Sequence, residues 1–218
     1  MTQGYRHLSN LWPSRTDKNA FLVAKQRFNI AAMKLLLAAG ASAVVTFIFT
    51  NVSLFTREWV TATLDQPGIH LDQSVGIFPW WCLSDNTCSY FWNNAGGWAI
   101  ACFLAMIFAD VWQLGALVEL LLALILVKRR YHFAKGFAGS FAVILILLLF
   151  VIIAFGITYK RNVAWLGFYG NPVLGYSYWL CLVAAVFSII TVGLAAKALD
   201  QVKRDRGTEM IRIAMTDH

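Results

Sequence analysis

Four long apolar runs, separated by polar or basic segments, dominate the chain. The first begins near Ile30 and passes through Leu35, Leu36 and Leu37 to about Asn51. An α-helix needs roughly 20 apolar residues to cross the hydrocarbon of a bilayer, so this run predicts a transmembrane helix over 30–51. The second run, 98–127, exceeds one hydrocarbon thickness, and its helix must tilt or project. Two more follow over 137–159 and 176–199. The fold class predicted is an all-α membrane protein, a four-helix transmembrane bundle. Residues 1–29 form a polar amino-terminal segment and 200–218 a charged tail. Residues 1–29 lack the apolar core of a cleavable signal peptide, so the segment is expected to be retained.

Charge then orients the bundle. Cytoplasmic flanks of membrane helices retain Lys and Arg. Of the 18 basic residues, only Arg57, Lys160 and Arg161 fall outside the amino-terminal side, the 128–135 turn and the tail. Both ends are therefore expected in the cytoplasm of a plasma-membrane protein. The net charge of +7 resides in these flanks, which argues against a nucleic-acid partner. Hydrophobic residues make up 59% and charged residues 13% of the chain, too little charge to coat a water-facing surface.

This topology makes residues 52–97 a large extracellular loop, against a second one over 160–175. The opening Glu58 to Thr63 alternates and is rich in β-formers, so it reads as a strand. Val75, Gly76, Ile77 and Phe78 are the expected pairing partner. Cys82 and Cys88 lie in the same loop, in an oxidising compartment, where a disulfide is preferred over two free or acylated thiols. Cys102 and Cys181 fall within spans and read as packing residues.

Charged groups at membrane depth are costly and are functional suspects. Asp110 and Glu119 on the second span are nine residues apart, about half a helical turn out of phase, so they cannot form one paired carboxylate site. A structural ion pair of Lys34 with Glu119 is expected, and Asp110 is expected to bond to water or a neighbouring helix. The four histidines, His7, His70, His132 and His218, are scattered over both sides, and neither a metal site nor a catalytic triad follows from them. No cofactor motif and no enzymatic constellation is present. Asn51-Val52-Ser53 fits a glycosylation sequon but is pressed against the membrane.

Four spans with both ends inside, a large first loop with a strand-like opening, the lone Trp59, then Gly76-Ile77-Phe78 followed by Cys82 and Cys88 resemble the claudin superfamily. That group includes the claudins, the peripheral myelin and epithelial membrane proteins and the calcium-channel gamma subunits. Gly175 to Trp179 is similar to the entry of the fourth helix in the epithelial and gamma-subunit branches. Phe78 stands where the family motif has tryptophan, and five residues separate the cysteines, so the resemblance is to a divergent member. It implies a left-handed bundle whose first loop folds into a small antiparallel sheet clipped by a disulfide.

Two roles follow from the resemblance. One is cell adhesion or junction organisation by self-association through the first loop, in cis or in trans. The other is an auxiliary subunit packed on a channel or receptor in the same membrane. Membrane lipids are partners in either case. The first loop carries Arg57 against Glu58, Asp65, Asp72 and Asp85. If it lines a paracellular gap, Asp65 and Asp72 are expected to favour cations.

Overall fold

The computed structural model describes residues 15–66, 69–78, 96–126, 129–164 and 172–216, and side chains over 30–61, 74–78, 96–126, 129–160 and 172–204. Cys82, Cys88 and Asp85 lie outside the described residues. In chain order the elements are helix α1 (Arg15–Phe55), strands β1 (Val60–Gln66) and β2 (Ile69–Val75), helices α2 (Gly97–Ile125) and α3 (Arg130–Ala164), strand β3 (Val173–Leu174) and helix α4 (Tyr176–Thr216). Each helix contains a stretch long and apolar enough to cross a membrane: Ile30–Phe55, Gly97–Ile125, Arg130–Lys160 and Tyr176–Arg204.

The four predicted spans are present, but the helices outrun them. Helix α1 starts 15 residues before Ile30, α3 continues to Ala164 and α4 to Thr216. The physical reason is that hydropathy ends where lipid ends, whereas a helix ends where its backbone bonding is interrupted. Residues 15–39 contain neither Gly nor Pro, and Pro13 lies just before α1 begins.

Antiparallel packing around a ring α1–α2–α3–α4 follows from contacts at known positions. Gly40 of α1 faces Leu120 of α2, and Thr50 bonds to Gln113. Ser42 and Ser53 donate to the carbonyls of Phe187 and Ser177 on α4. Buried positions recur with alternating steps of three and four residues on every helix. On α1 they are Ala32, Leu36, Ala39, Ala43, Thr46 and Thr50; on α2, Cys102, Met106, Ala109, Gln113, Ala116 and Leu120. On α4 they are Ser177, Cys181, Ala184, Ser188, Thr191 and Ala195. A 3.5-residue repeat is the seam of left-handed helix packing.

These three seams are built mostly from small side chains. The seam of α3 is large: Phe137, Phe141, Ile144, Leu148, Val151 and Phe155. The large side chains of α3 thus fill the interior that the small side chains of the other three leave, and small residues let helices approach closely where lipid supplies no hydrophobic drive between them. The outer surface carries exposed Ile48, Phe108, Val111, Ile146, Ile153 and Ile189. Apolar groups face outward and hydroxyls face inward, the arrangement hydrocarbon solvent selects.

At one end of the bundle lies a three-stranded sheet of order β2-β1-β3. β1 pairs antiparallel with β2 from Val60↔Val75 to Gln66↔Ile69, and with β3 through Val60↔Leu174 and Thr61↔Val173. The expected pairing of Glu58–Thr63 with Val75–Phe78 is corrected here. The strand is displaced to Val60–Gln66, its partner is Ile69–Val75, and Gly76 to Phe78 lie beyond the ladder.

Candidate functional site

Hydrogen bonds and aromatic contacts from α1, α3 and α4 converge at the base of the sheet. Trp59 sits between α1 and β1 and is fully buried. Its indole Nε1 donates to the Ser53 carbonyl at 2.6 Å. Its ring packs edge-on against Phe155 of α3, centroids 4.9 Å apart, and against Tyr178 of α4 at 6.2 Å. An aromatic body with one polar tip suits a site where apolar packing meets backbone carbonyls. The tryptophan is thus a plug that joins the sheet to α1, α3 and α4.

Two glycines make this junction possible. A Cβ on Gly76 would meet the Thr56 carbonyl oxygen at 2.7 Å, and one on Gly175 would fall on the Glu58 carbonyl well inside van der Waals contact. The segment Thr56 to Trp59 is therefore held between two bare backbones, one from each inter-helix loop on this side. Gly175 N–H donates to the Trp59 carbonyl at 2.9 Å, and Ser177 N–H to the Glu58 carbonyl at 3.0 Å. The second bond satisfies an otherwise orphaned donor in the first turn of α4. Thr56 and Ser177 hydroxyls are 2.7 Å apart and bonded to each other. Thr56 to Trp59, before β1, and Gly175 to Ser177, at the start of α4, are thus bonded to each other. Ser53, Thr56, Phe155, Gly175, Ser177 and Tyr178 were not read as site residues from sequence. Gly175, Ser177 and Tyr178 fall only within the segment that carries the resemblance.

Ile77 is buried beside this junction. Phe78 packs on Phe55 of α1 at 5.2 Å and on Phe103 of α2 at 5.8 Å between ring centroids. The motif residues Trp59, Gly76, Ile77 and Phe78 thus converge on one place, where they attach the sheet to the bundle. Farther along the hairpin the register pairs Thr61 with Ser74, Thr63 with Asp72 and Asp65 with His70.

The membrane-depth charges fall in two separate seams. Asn51 Nδ2 donates to Asp110 Oδ1 at 2.6 Å and to its own helix at the Phe47 carbonyl. Asp110 therefore bonds to a neighbouring helix, as expected. Asn51 is inside α1 with its amide engaged. Glu119 does not pair with Lys34. Its carboxylate accepts from the Ser140 hydroxyl of α3 at 2.9 Å and lies over Gly136, while Lys34 is exposed on α1. Gly40 faces Leu120, so Lys34 lies six residues farther down α1, about 9 Å along the axis at 1.5 Å per residue. Helix stagger, which a sequence does not display, separates them.

Cys102 and Cys181 are buried free thiols within the bundle. Among the described residues, no group of three metal-ligating side chains gathers. The Cys82–Cys88 expectation concerns residues outside the described set.

No curated protein matches this chain. A family described as tight junction protein, claudin-like, matches residues 30–205. That range begins where the first membrane span begins and ends just past the fourth. Four spans, a sheet of antiparallel strands seated at one end, and a family match over most of its length together place this chain in the claudin-like tight junction protein family.

Proposed function

We propose that this protein acts in cell-cell adhesion or junction organisation at the plasma membrane, with the sheet outside the cell and both ends inside. It is read as a non-enzymatic tetraspan protein. The observation that supports this best is the seating of the sheet on the bundle. Its base is held by Trp59, Gly76 and Gly175, and the hairpin continues from there through the Val60↔Val75 to Gln66↔Ile69 register. A sheet seated in this way at one end of the spans suits contact with like copies beside it or across a cell gap. The orientation rests on the distribution of basic residues about the spans.

Expression in an epithelial line that lacks endogenous strands tests the proposal. Freeze-fracture images should show self-assembled strands, and transepithelial resistance or ion selectivity should change. A protein that alters neither quantity and forms no assemblies is not a junction component.

A second reading, an auxiliary subunit of a channel or receptor, draws support from Glu119. This half-buried carboxylate lies at membrane depth with a hydroxyl as its bonded partner in the structure. Acidic groups at such depth are commonly paired, and a basic residue on a partner's transmembrane helix would supply the pair. Stoichiometric recovery of one channel or receptor with the protein in mild detergent would favour this role over the first.

A further inference from the structure

The α1–α2 seam holds four polar side chains in one layer: Thr50 and Asn51 on α1, Asp110 and Gln113 on α2. Gln113 is 0% exposed. Its Nε2 donates to Thr50 Oγ1 at 3.0 Å. Thr50's own proton goes to the Thr46 carbonyl at 2.9 Å, so this hydroxyl cannot also serve Gln113 Oε1. That oxygen is buried and has no hydrogen-bond partner. Leaving a buried amide acceptor unmet is expensive, and reversing the amide would place Oε1 against an oxygen whose proton is already committed.

Asp110 lies three residues earlier on the same helix. Positions three apart share a helix face with Cβ atoms roughly 5–6 Å apart. One oxygen of Asp110 accepts from Asn51 at 2.6 Å, and a carboxylate can accept further bonds. Two acceptors on one face, one of them unmet, call for a species with two donors and little bulk. Lysine or arginine would fit the charge, but the full burial of Gln113 closes the site to a long side chain from outside. Half-buried Asp110 is the open edge.

We infer that the α1–α2 seam is a binding site for one ordered water, which donates to Gln113 Oε1 and to the Asp110 carboxylate. Asn51 holds Asp110 in place as a positioning residue. The water completes a polar contact between α1 and α2 directly below the sheet: Thr50 is five residues from the end of α1 at Phe55. Buried waters that satisfy otherwise unmet polar groups are common structural components.

The test uses the full-length protein in lipid nanodiscs, with and without cholesterol. Thermal unfolding is followed for Gln113→Met, Asp110→Ala and the double variant, with Thr50 kept so that the Gln113 amide nitrogen retains its partner. Bridging by water predicts that Gln113→Met lowers Tm by a few degrees and that Gln113→Met and Asp110→Ala are non-additive, because either change disrupts the same bridge. The effect should not depend on sterol. X-ray radiolytic labelling of the wild type in H2(18)O should place label on side chains lining this seam. A Gln113→Met variant that is unchanged or more stable, or a seam without water-derived label, overturns the inference. An effect present only with cholesterol assigns the donor to a lipid hydroxyl and overturns the assignment to water. If the variants do not fold, the labelling of the wild type decides alone.

Discussion

At Gly175 a single absent carbon governs how two loops meet. The Glu58 carbonyl occupies the space a Cβ would need, and both neighbours are backbone, so neither moves cheaply. Gly175→Ala is expected to lower stability by about 1–3 kcal/mol, the usual cost of overpacking a tight site. Gly193, in the middle of α4, has nothing within 4 Å of an added Cβ, and Gly193→Ala should raise stability by up to about 1 kcal/mol through helix propensity. Opposite signs from the same substitution, read as Tm shifts in one detergent, check the geometry. A fall at both positions would contradict it. The charged residues give a second test at this scale. Lys34→Ala and Glu119→Ala should be additive, whereas Glu119→Ala and Ser140→Ala should be coupled, since only the latter two share a bond. Additivity in both cycles would remove the Glu119–Ser140 contact from consideration.

Among the elements, the hairpin carries the most chemistry. Asp65 and Asp72 stand on its paired strands, Asp65 opposite His70 and Asp72 opposite Thr63. If the proposed junction role holds, Asp65→Asn and Asp72→Asn should each lower the preference for cations over anions in dilution-potential measurements. A preference insensitive to both residues would show that they do not line the path.

The existence of the spans was legible because apolar runs of this length have few alternatives. Strand β1 was partly legible from its β-branched alternation. Helix ends were not, because Lys and Arg near Lys128 and Lys203 signal the edge of lipid and say nothing about backbone bonding. The two-residue β3 is too short to carry a pattern, and it exists because β1 offers it an edge. The site was legible only at its named motif positions. Ser53, Thr56 and Ser177 resemble any hydroxyl near a membrane boundary until α1 and α4 are placed side by side.

At the scale of the whole molecule, the proposed orientation predicts that epitope tags at residues 1 and 218 are detected only after permeabilisation. A tag inserted near Gln66 should be detected on intact cells. Surface labelling of a tag at residue 218 would overturn the arrangement. A further consequence concerns α1 and α4, each 41 residues long. At 1.5 Å per residue each extends about 60 Å, twice the hydrocarbon thickness. The sheet is attached where α1 ends and α4 begins, so the pair acts as a lever with its short arm outside the bilayer. If the helices stay rigid, a tilt of about 5° imposed at the sheet displaces the far end by roughly 5 Å over that length. Tension applied to the sheet would be transmitted through the membrane as a displacement, without any bond in the bundle having to break.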